Sequence, residues 1–550
     1  MKKVLLIVFV LLFQISFSKP INETQKLAAV CKVWGFLKYY HPNVADGSKN
    51  WDEQLFQILP KVEEAQTSEA FSLVIENWVD SLGEIKKQET LKPVVKKEYF
   101  DKNFDLSWVN NKELFSKSLS KKLKFIEENR IQEKQYYVAY EFGSNGPPLQ
   151  FKNEVKYADF KWTDKNLRLL TLFRYWNCIE YFFPYKYQMD QNWDKSLNEF
   201  LPRIIAPESE KDFALAMREI SIKINDTHAS TQVPQMFEYF GDKFIPVDVK
   251  IIDQKAVVIG LKNDSLAKIS DLKIGDVITK VEGKTIAQLL RENSKYVEGS
   301  NEPSVLRNAY WTIFNGKTPT FKIEFIRDGK TAEKTINRYK YQDLKIQFPK
   351  QEKWKILEGN IGYVNFGGVN EEDIPNLVVA LKNTNAIIFD DRQRPHDVIY
   401  PLADWLNPQP VEYVKYIDPD VNYPGRYIWR EEEEKIGKIN SDNYKGKVIV
   451  LIDENAVSHG EHTAMALQTV PKSTVIGSQT GGADGANARF LIIKGFSSSF
   501  TCYGVFYPNK KEVQRIGVVP DIEVKPTILG IQQGKDEILD RAILFARNGK

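Results

Sequence analysis

The chain has 550 residues, 42% of them hydrophobic and 27% charged, and a net charge of +3 at pH 7. That length exceeds what one hydrophobic core can serve, so three or four domains are expected, with the composition of a soluble globular protein. The charge is nearly balanced and free of long same-sign runs, which argues against a nucleic-acid partner.

Residues 1–18 hold Lys2 and Lys3, an apolar run from Val4 to Phe13, and small Ser16 and Ser18. This is the pattern of a secretory signal peptide, and the run is short for a membrane span of about 20 residues. The mature protein is expected to be exported, periplasmic or extracellular, without stable membrane insertion. No cysteine directly follows the apolar run, which argues against a lipoprotein anchor. The three cysteines, Cys31, Cys178 and Cys502, are too few for a disulfide scaffold and form no metal knuckle. One bridge or buried thiols would both fit.

A duplication follows. VWGFLKYYHPNVADGSKNWDEQLFQILPKV and RYWNCIEYFFPYKYQMDQNWDKSLNEFLPRI align without gaps. Trp34 pairs with Trp176, Tyr39 with Tyr181, Asn50-Trp51-Asp52 with Asn192-Trp193-Asp194, and Leu59-Pro60 with Leu201-Pro202, always 142 residues apart. The copies are expected over 19–92 and 166–235, both helical. Phe71, Val74, Ile75, Trp78, Val79 and Leu82 recur on one helical face, as do Phe213, Ala216, Met217, Ile220 and Ile224. Asn50 and Asn192 fit helix N-caps. The shared aromatics read as core. The copies part where the last helix ends: Leu82-Gly83-Glu84-Ile85 in the first, Asn225-Asp226-Thr227-His228 in the second, and only the second places one of the chain's 5 histidines there.

Residues 93–165 read as a small β-containing region. From 236 to 347 the pattern turns to short strands, in VKIID, AVVIG, DVITKVEGK and TFKIEFIRDG, with an inserted stretch Leu289–Arg307. From 348 to 550 it is α/β, with GYVNF, AIIFD, KVIVLID and STVIG as strands between helices.

The strand ending at Ile452 leads through Asp453-Glu454-Asn455 to Ser458-His459-Gly460-Glu461-His462 and a helix. Ser458 with Glu461 three residues on forms a capping box. Capping is compatible with a nucleophile, because a serine at a strand-to-helix turn gains from the helix field. His459 and His462 raise a metal site, with Asp453 and His396 as further ligands. HGEH does not have the HExxH spacing of zinc peptidases, so metal-dependent hydrolysis is the weaker reading and no cofactor is expected.

LAKISDLKIGDVITKVEGKTI resembles the heart of a PDZ domain. IGYVNF, AIIFDDR, ENAVSHGEHTAMAL, STVIGSQTGGADG and GVVPDIEV then occur in the order of the C-terminal-processing and tricorn-like serine peptidases. The resemblance covers about residues 205–525. It implies a multidomain α+β protein in three parts: a duplicated helical N-terminal region, a PDZ-like domain and a crotonase-like ββα catalytic domain. It places the nucleophile on Ser458. Family members with a lysine base carry it in a TxGKG-like loop, where this chain has Ala483, which accepts no proton. The tricorn-like branch uses a Ser-His pair, matched by Thr227-His228. The acid that anchors the histidine in that branch falls on Gln514, with Glu512 two residues earlier. The oxyanion would be faced by the backbone N–H of His459 and by backbone near Gln393, in a loop where Pro395 has no N–H and the family's glycines are absent. Glu461 would support the turn.

The expected function is that of a serine endopeptidase or carboxy-terminal-processing peptidase acting on unfolded or peptide substrates through an acyl-enzyme. A catalytically inactive exported peptide-binding protein is the alternative.

Overall fold

The computed structural model describes residues 20–87, 97–132, 134–143, 147–233, 235–346 and 352–549; the leader read over 1–18 lies outside them. The protein is mixed α/β and multidomain. It divides into two compact units, one of residues 1–89 with 105–131 and one of 90–104 with 132–550. No helix among the described residues is long and apolar enough to cross a membrane.

The first unit is built on helices Glu23–Tyr40, Trp51–Glu64, Ser68–Ser81 and Lys117–Glu128. The last of these lies in the stretch read as β-containing. Its apolar residues Leu119, Leu123 and Ile126 are buried, a 3.6-residue repeat that the surrounding lysines obscure in the sequence. Within the second unit, helices Lys165–Phe182, Trp193–Ile205 and Glu210–Ile222 repeat the first three. A buried indole N–H needs an acceptor, and both copies supply one in the same way. The Trp34 and Trp51 N–H groups each donate to the other's carbonyl, at 3.2 and 3.0 Å. Trp176 and Trp193 do likewise at 3.2 and 3.1 Å. Asn50 and Asn192 cap the second helix of each copy through their side-chain oxygens. Cys31, Cys178 and Cys502 are all buried and none is in a disulfide.

Residues 247–337 form an antiparallel sheet in which Val247–Ile252, Lys255–Leu261, Val277–Val281, Thr320–Arg327 and Lys330–Asn337 pair in sequence order. Helices Ile286–Asn293, Glu302–Asn308 and Tyr310–Phe314 fill the long connection before Thr320.

The C-terminal sheet positions the site. Its strands run Trp354–Leu357, Ile361–Asn365, Ala386–Asp390, Lys447–Ile452, Ser473–Gly477 and Ile522–Glu523 in spatial order. The first pair is antiparallel and the rest are parallel. Parallel strands are covered on both faces, which explains the continuous apolar runs. Ile388, Ile449, Leu451 and Ile476 face the C-terminal helix Glu537–Asn548. Phe389, Val448, Val450 and Ile452 face the other core, with Leu377, Leu402 and Leu467. The carboxyl ends of Ala386–Asp390, Lys447–Ile452 and Ser473–Gly477 thus share one rim, where functional loops of open α/β sheets gather.

Candidate active site

Ser458 sits between the strand Lys447–Ile452 and the helix His459–Gln468 with φ 57° and ψ −115°. A non-glycine residue in that region is strained and must be held by its surroundings. Glu461 supplies the hold. Its buried carboxylate accepts the Ser458 N–H at 3.1 Å, the Thr480 hydroxyl at 2.6 Å, and the Gly482 and Ala483 N–H groups at 2.7 and 2.8 Å. Burial pushes its pKa up to about 7, against the opposing pull of these donors. Glu461 therefore ties the serine turn to the loop after Ser473–Gly477. Ala483 is fully buried there.

His228 is anchored from a distant hairpin. Its Nδ1 lies 2.8 Å from the Thr501 hydroxyl, 273 residues away, at the end of the strand Phe496–Thr501. The Thr501 hydroxyl donates to Asp226 Oδ1 at 3.0 Å, and its backbone N–H donates to Oδ2 at 2.7 Å. Asp226 also accepts the His228 N–H at 3.1 Å and the Gln514 side-chain N–H at 3.4 Å. A hydroxyl has one proton. With that proton on Asp226, Thr501 accepts from Nδ1–H, which leaves the lone pair of His228 on Nε2. Burial lowers the His228 pKa, while Asp226 and Asp484 oppose the shift.

Gly485 joins the two halves. The Ser458 hydroxyl lies 3.5 Å from the Gly485 carbonyl. A Cβ on Gly485 would stand 3.1 Å from the Thr501 methyl and 3.1 Å from the Tyr503 carbonyl, and φ is +116°. One glycine therefore separates the serine hydroxyl from the threonine that holds His228. Its loop is pinned by Asp484, which accepts the Gly485 N–H at 2.7 Å and contacts His462 Nδ1 at 3.3 Å. The other His462 nitrogen meets the Tyr413 hydroxyl at 2.7 Å. The His462 pKa is raised: burial acts to lower it, but the charge and hydrogen bond of Asp484 prevail.

The loop after Ala386–Asp390 reaches the same rim. Arg392 is clamped by Asp390 and Asp536, with contacts of 2.6–2.8 Å. The loop closes over the helix start, where His459 Nε2 lies 3.2 Å from the His396 carbonyl and 3.3 Å from Asp397. The His459 backbone N–H is in the first helical position, whose donor has no partner within the helix. Gln393 packs against Gly367, where a Cβ would come within 2.5 Å of its side-chain oxygen. His459 Nε2 and both ring nitrogens of His462 thus have separate partners. Among the described residues no group of three or more His, Cys, Asp or Glu side chains is arranged to hold a metal ion.

Thr227, Gln514 and Glu512 have partners other than the imidazole. Thr227 donates its hydroxyl to the Gly481 carbonyl at 2.9 Å and receives the Ser300 N–H at 2.9 Å, so it clips two loops together. Gln514 reaches Asp226, not the ring. Glu512 is taken up by the Tyr187 hydroxyl and Lys102, each at 2.8 Å. Residues 512–514 lie outside any named strand, with only an isolated bridge from Glu512 to Phe506, and Glu512 and Gln514 reach different partners. Sequence reasoning missed Asp226 and Thr501. Asp226 had a signal, an acid two residues before the histidine at a helix end; Thr501, in an unremarkable hairpin, had none.

A held serine at a strand-to-helix turn, with a half-buried histidine anchored through Nδ1, is the equipment of a serine hydrolase. Residues 359–524 match the model of Peptidase family S41. The carboxy-terminal-processing protease of Bartonella bacilliformis is 24% identical over 316 residues. That match covers 54% of this chain and 65% of the relative, just under two thirds of its length. Among solved structures, mature CPAF complexed with lactacystin is similar with a TM-score of 0.54 at 15% identity, over 71% of this chain and 99% of that one. Mature CPAF alone is similar with a TM-score of 0.54 at 14% identity, over 71% and 98%. At these identities the likeness is one of fold.

Proposed function

We propose that the chain is a serine peptidase in which Ser458 is the nucleophile and His228 the general base. The observation that carries this reading is the relay from Asp226 through Thr501 to His228 Nδ1, set one glycine away from the Ser458 hydroxyl. In the proposed cycle His228 Nε2 takes the Ser458 proton as Oγ bonds to the peptide carbonyl carbon. The resulting oxyanion faces the His459 N–H, with backbone near Gln393 as the second donor. The imidazolium gives its proton to the leaving amine, the C–N bond breaks, and an acyl-enzyme remains. Water, deprotonated by the same nitrogen, then releases the acid and restores the serine. Asp226 stabilises the imidazolium through Thr501, Gln514 steadies Asp226, Thr227 fixes the loop beside it, and Glu461 holds the serine turn.

The substrates in this reading are unfolded chains or peptides. The antiparallel sheet over 247–337 acts as a PDZ-like module that receives a chain end, and the C-terminal domain as a crotonase-like catalytic domain. The leader over 1–18 directs export to the periplasm or beyond. The S41 match and the carboxy-terminal-processing relative support this assignment.

Casein digestion by wild type and Ser458→Ala, with a metal chelator present, tests it. Wild type cleaves, and the variant loses at least about 10²-fold of kcat while keeping its fold. Equal cleavage by both overturns the assignment. Peptide binding without cleavage by wild type replaces it with the exported binding protein.

A further inference from the structure

We infer that an aromatic cavity beside the His228 segment is a second substrate-binding site, one that takes a large apolar side chain of an extended polypeptide about four residues from the scissile bond. The inference rests on the peptidase reading above and adds to it a class of substrate.

The cavity encloses about 730 Å³, within the range of ligand sites and larger than a single side chain needs. Phe237, Phe240, Trp311 and Phe496 stand in its apolar wall, and Ser230–Val233 line it too. Phe237 is 60% exposed and Leu491, on the opposing hairpin, 37%, so apolar surface stands open at the rim. The walls are fixed. Buried Arg218 donates to the Tyr296 carbonyl at 3.0 Å, to the Thr231 carbonyl at 3.1 Å and to the Glu298 carboxylate, and so ties three wall segments together. Pairing Arg218 with Glu298 leaves the lining with no unmatched charge, which favours an uncharged occupant.

The place of the cavity names the occupant. The chain leaves His228 and runs antiparallel beside Ser497–Thr501. The His228 carbonyl accepts the Ser499 hydroxyl at 2.7 Å, and Gln232 and Ser497 exchange backbone hydrogen bonds of 2.9 and 3.3 Å. One end of this ribbon holds the imidazole through Thr501, and the other end lines the cavity through Gln232, Phe496 and Ser497. At about 3.3 Å per residue the two ends are roughly 13 Å apart, the reach of about four residues of extended substrate. A polypeptide with its carbonyl at Ser458 can therefore seat a Phe, Leu or Trp here.

The test is a set of quenched peptides with one scissile sequence, in which Phe or Asp is placed in turn at each position up to six residues on either side. Wild type cleaves the Phe peptide with kcat/KM about 10-fold above the Asp peptide at a position near the fourth, and Phe237→Asp and Leu491→Asp each collapse that ratio. Both changed side chains are partly exposed, so melting temperature controls for folding. Anisotropy titration of Ser458→Ala with the same peptides separates binding from chemistry and shows the same preference. A ratio flat within about twofold at every position in both assays overturns the inference, as does a preference that survives both variants. If wild type cleaves nothing but the binding preference stands and is lost in Phe237→Asp, the peptidase reading falls and the cavity remains.

Discussion

Asp226→Asn is the most informative perturbation of the site, because it removes one charge and little volume. The hydrogen bonds of 2.8 and 3.0 Å through Thr501 put the Asp226 carboxylate near the imidazole. The separation is at most about 6 Å, where unit charges attract by about 3 kcal/mol at an effective dielectric of about 20. At about 1.36 kcal/mol per tenfold, that is a loss of roughly 10²-fold in kcat, since the imidazolium forms only as the reaction proceeds. The pH dependence checks the cause. Burial holds the His228 pKa below its ordinary 6.5 and Asp226 acts to raise it. The acid limb of kcat/KM in wild type therefore lies below pH 6.5, and in Asp226→Asn it moves to still lower pH. The asparagine oxygen still accepts the Thr501 hydroxyl, but its NH2 then faces the Thr501 N–H, so a melting curve separates any loss of fold from the loss of charge. Activity within about threefold of wild type, with an unmoved acid limb, would falsify the relay.

Other substitutions test the neighbouring supports. Gly485→Ala puts a methyl 3.1 Å from both Thr501 and Tyr503 at φ +116°, and should lower kcat more than tenfold, on the order of the 1–3 kcal/mol such strain costs, with less effect on KM. Glu461→Gln keeps one acceptor oxygen for four donors and leaves backbone N–H groups buried and unpaired; a loss of about 2–4 kcal/mol by urea denaturation is expected. The same carboxyl sets a pH trend. Its folded pKa of about 7 exceeds the ordinary 4.5, so the folded state holds the extra proton and this group's contribution to stability falls as pH rises from 4.5 to 7. Glu461→Gln should remove that slope from urea midpoints measured across the window. Gln514→Glu sets a second carboxylate 3.4 Å from Asp226, so its kcat should fall and not rise, measured on the same peptide as wild type.

Local chemistry was legible in the sequence where it repeats or runs along one element. The Trp34 and Trp176 matches lead directly to paired indole clasps, and Phe71, Ile75, Trp78 and Val79 are buried on the face their spacing marks. The apolar runs ending at Asp390 and Ile452 are strands, as expected, and the structure pairs them in parallel. Ser458 stood out because strand, turn and helix signals converge on it. What the sequence did not disclose depends on contacts between distant segments. Thr501 is an ordinary strand threonine until the hairpin lies beside His228. Glu461 reads as half of a capping box, but most of its hydrogen bonds go to residues 480–483. Glu512 was drawn toward the site by sequence proximity, whereas its carboxylate meets Lys102 and Tyr187. Helix Lys117–Glu128 went unread because its apolar face is narrow, with four lysines in twelve residues.

The central claim is that His228 activates Ser458. A serine-directed fluorophosphonate probe, with intact-protein mass spectrometry and peptide mapping, measures that activation without requiring a known substrate. The account predicts one adduct on wild type, mapped to Ser458. Ser458→Ala should give none, and labelling of folded His228→Ala should slow by at least about 10²-fold. Labelling of His228→Ala at the wild-type rate, or an adduct at another serine that persists in Ser458→Ala, would contradict it.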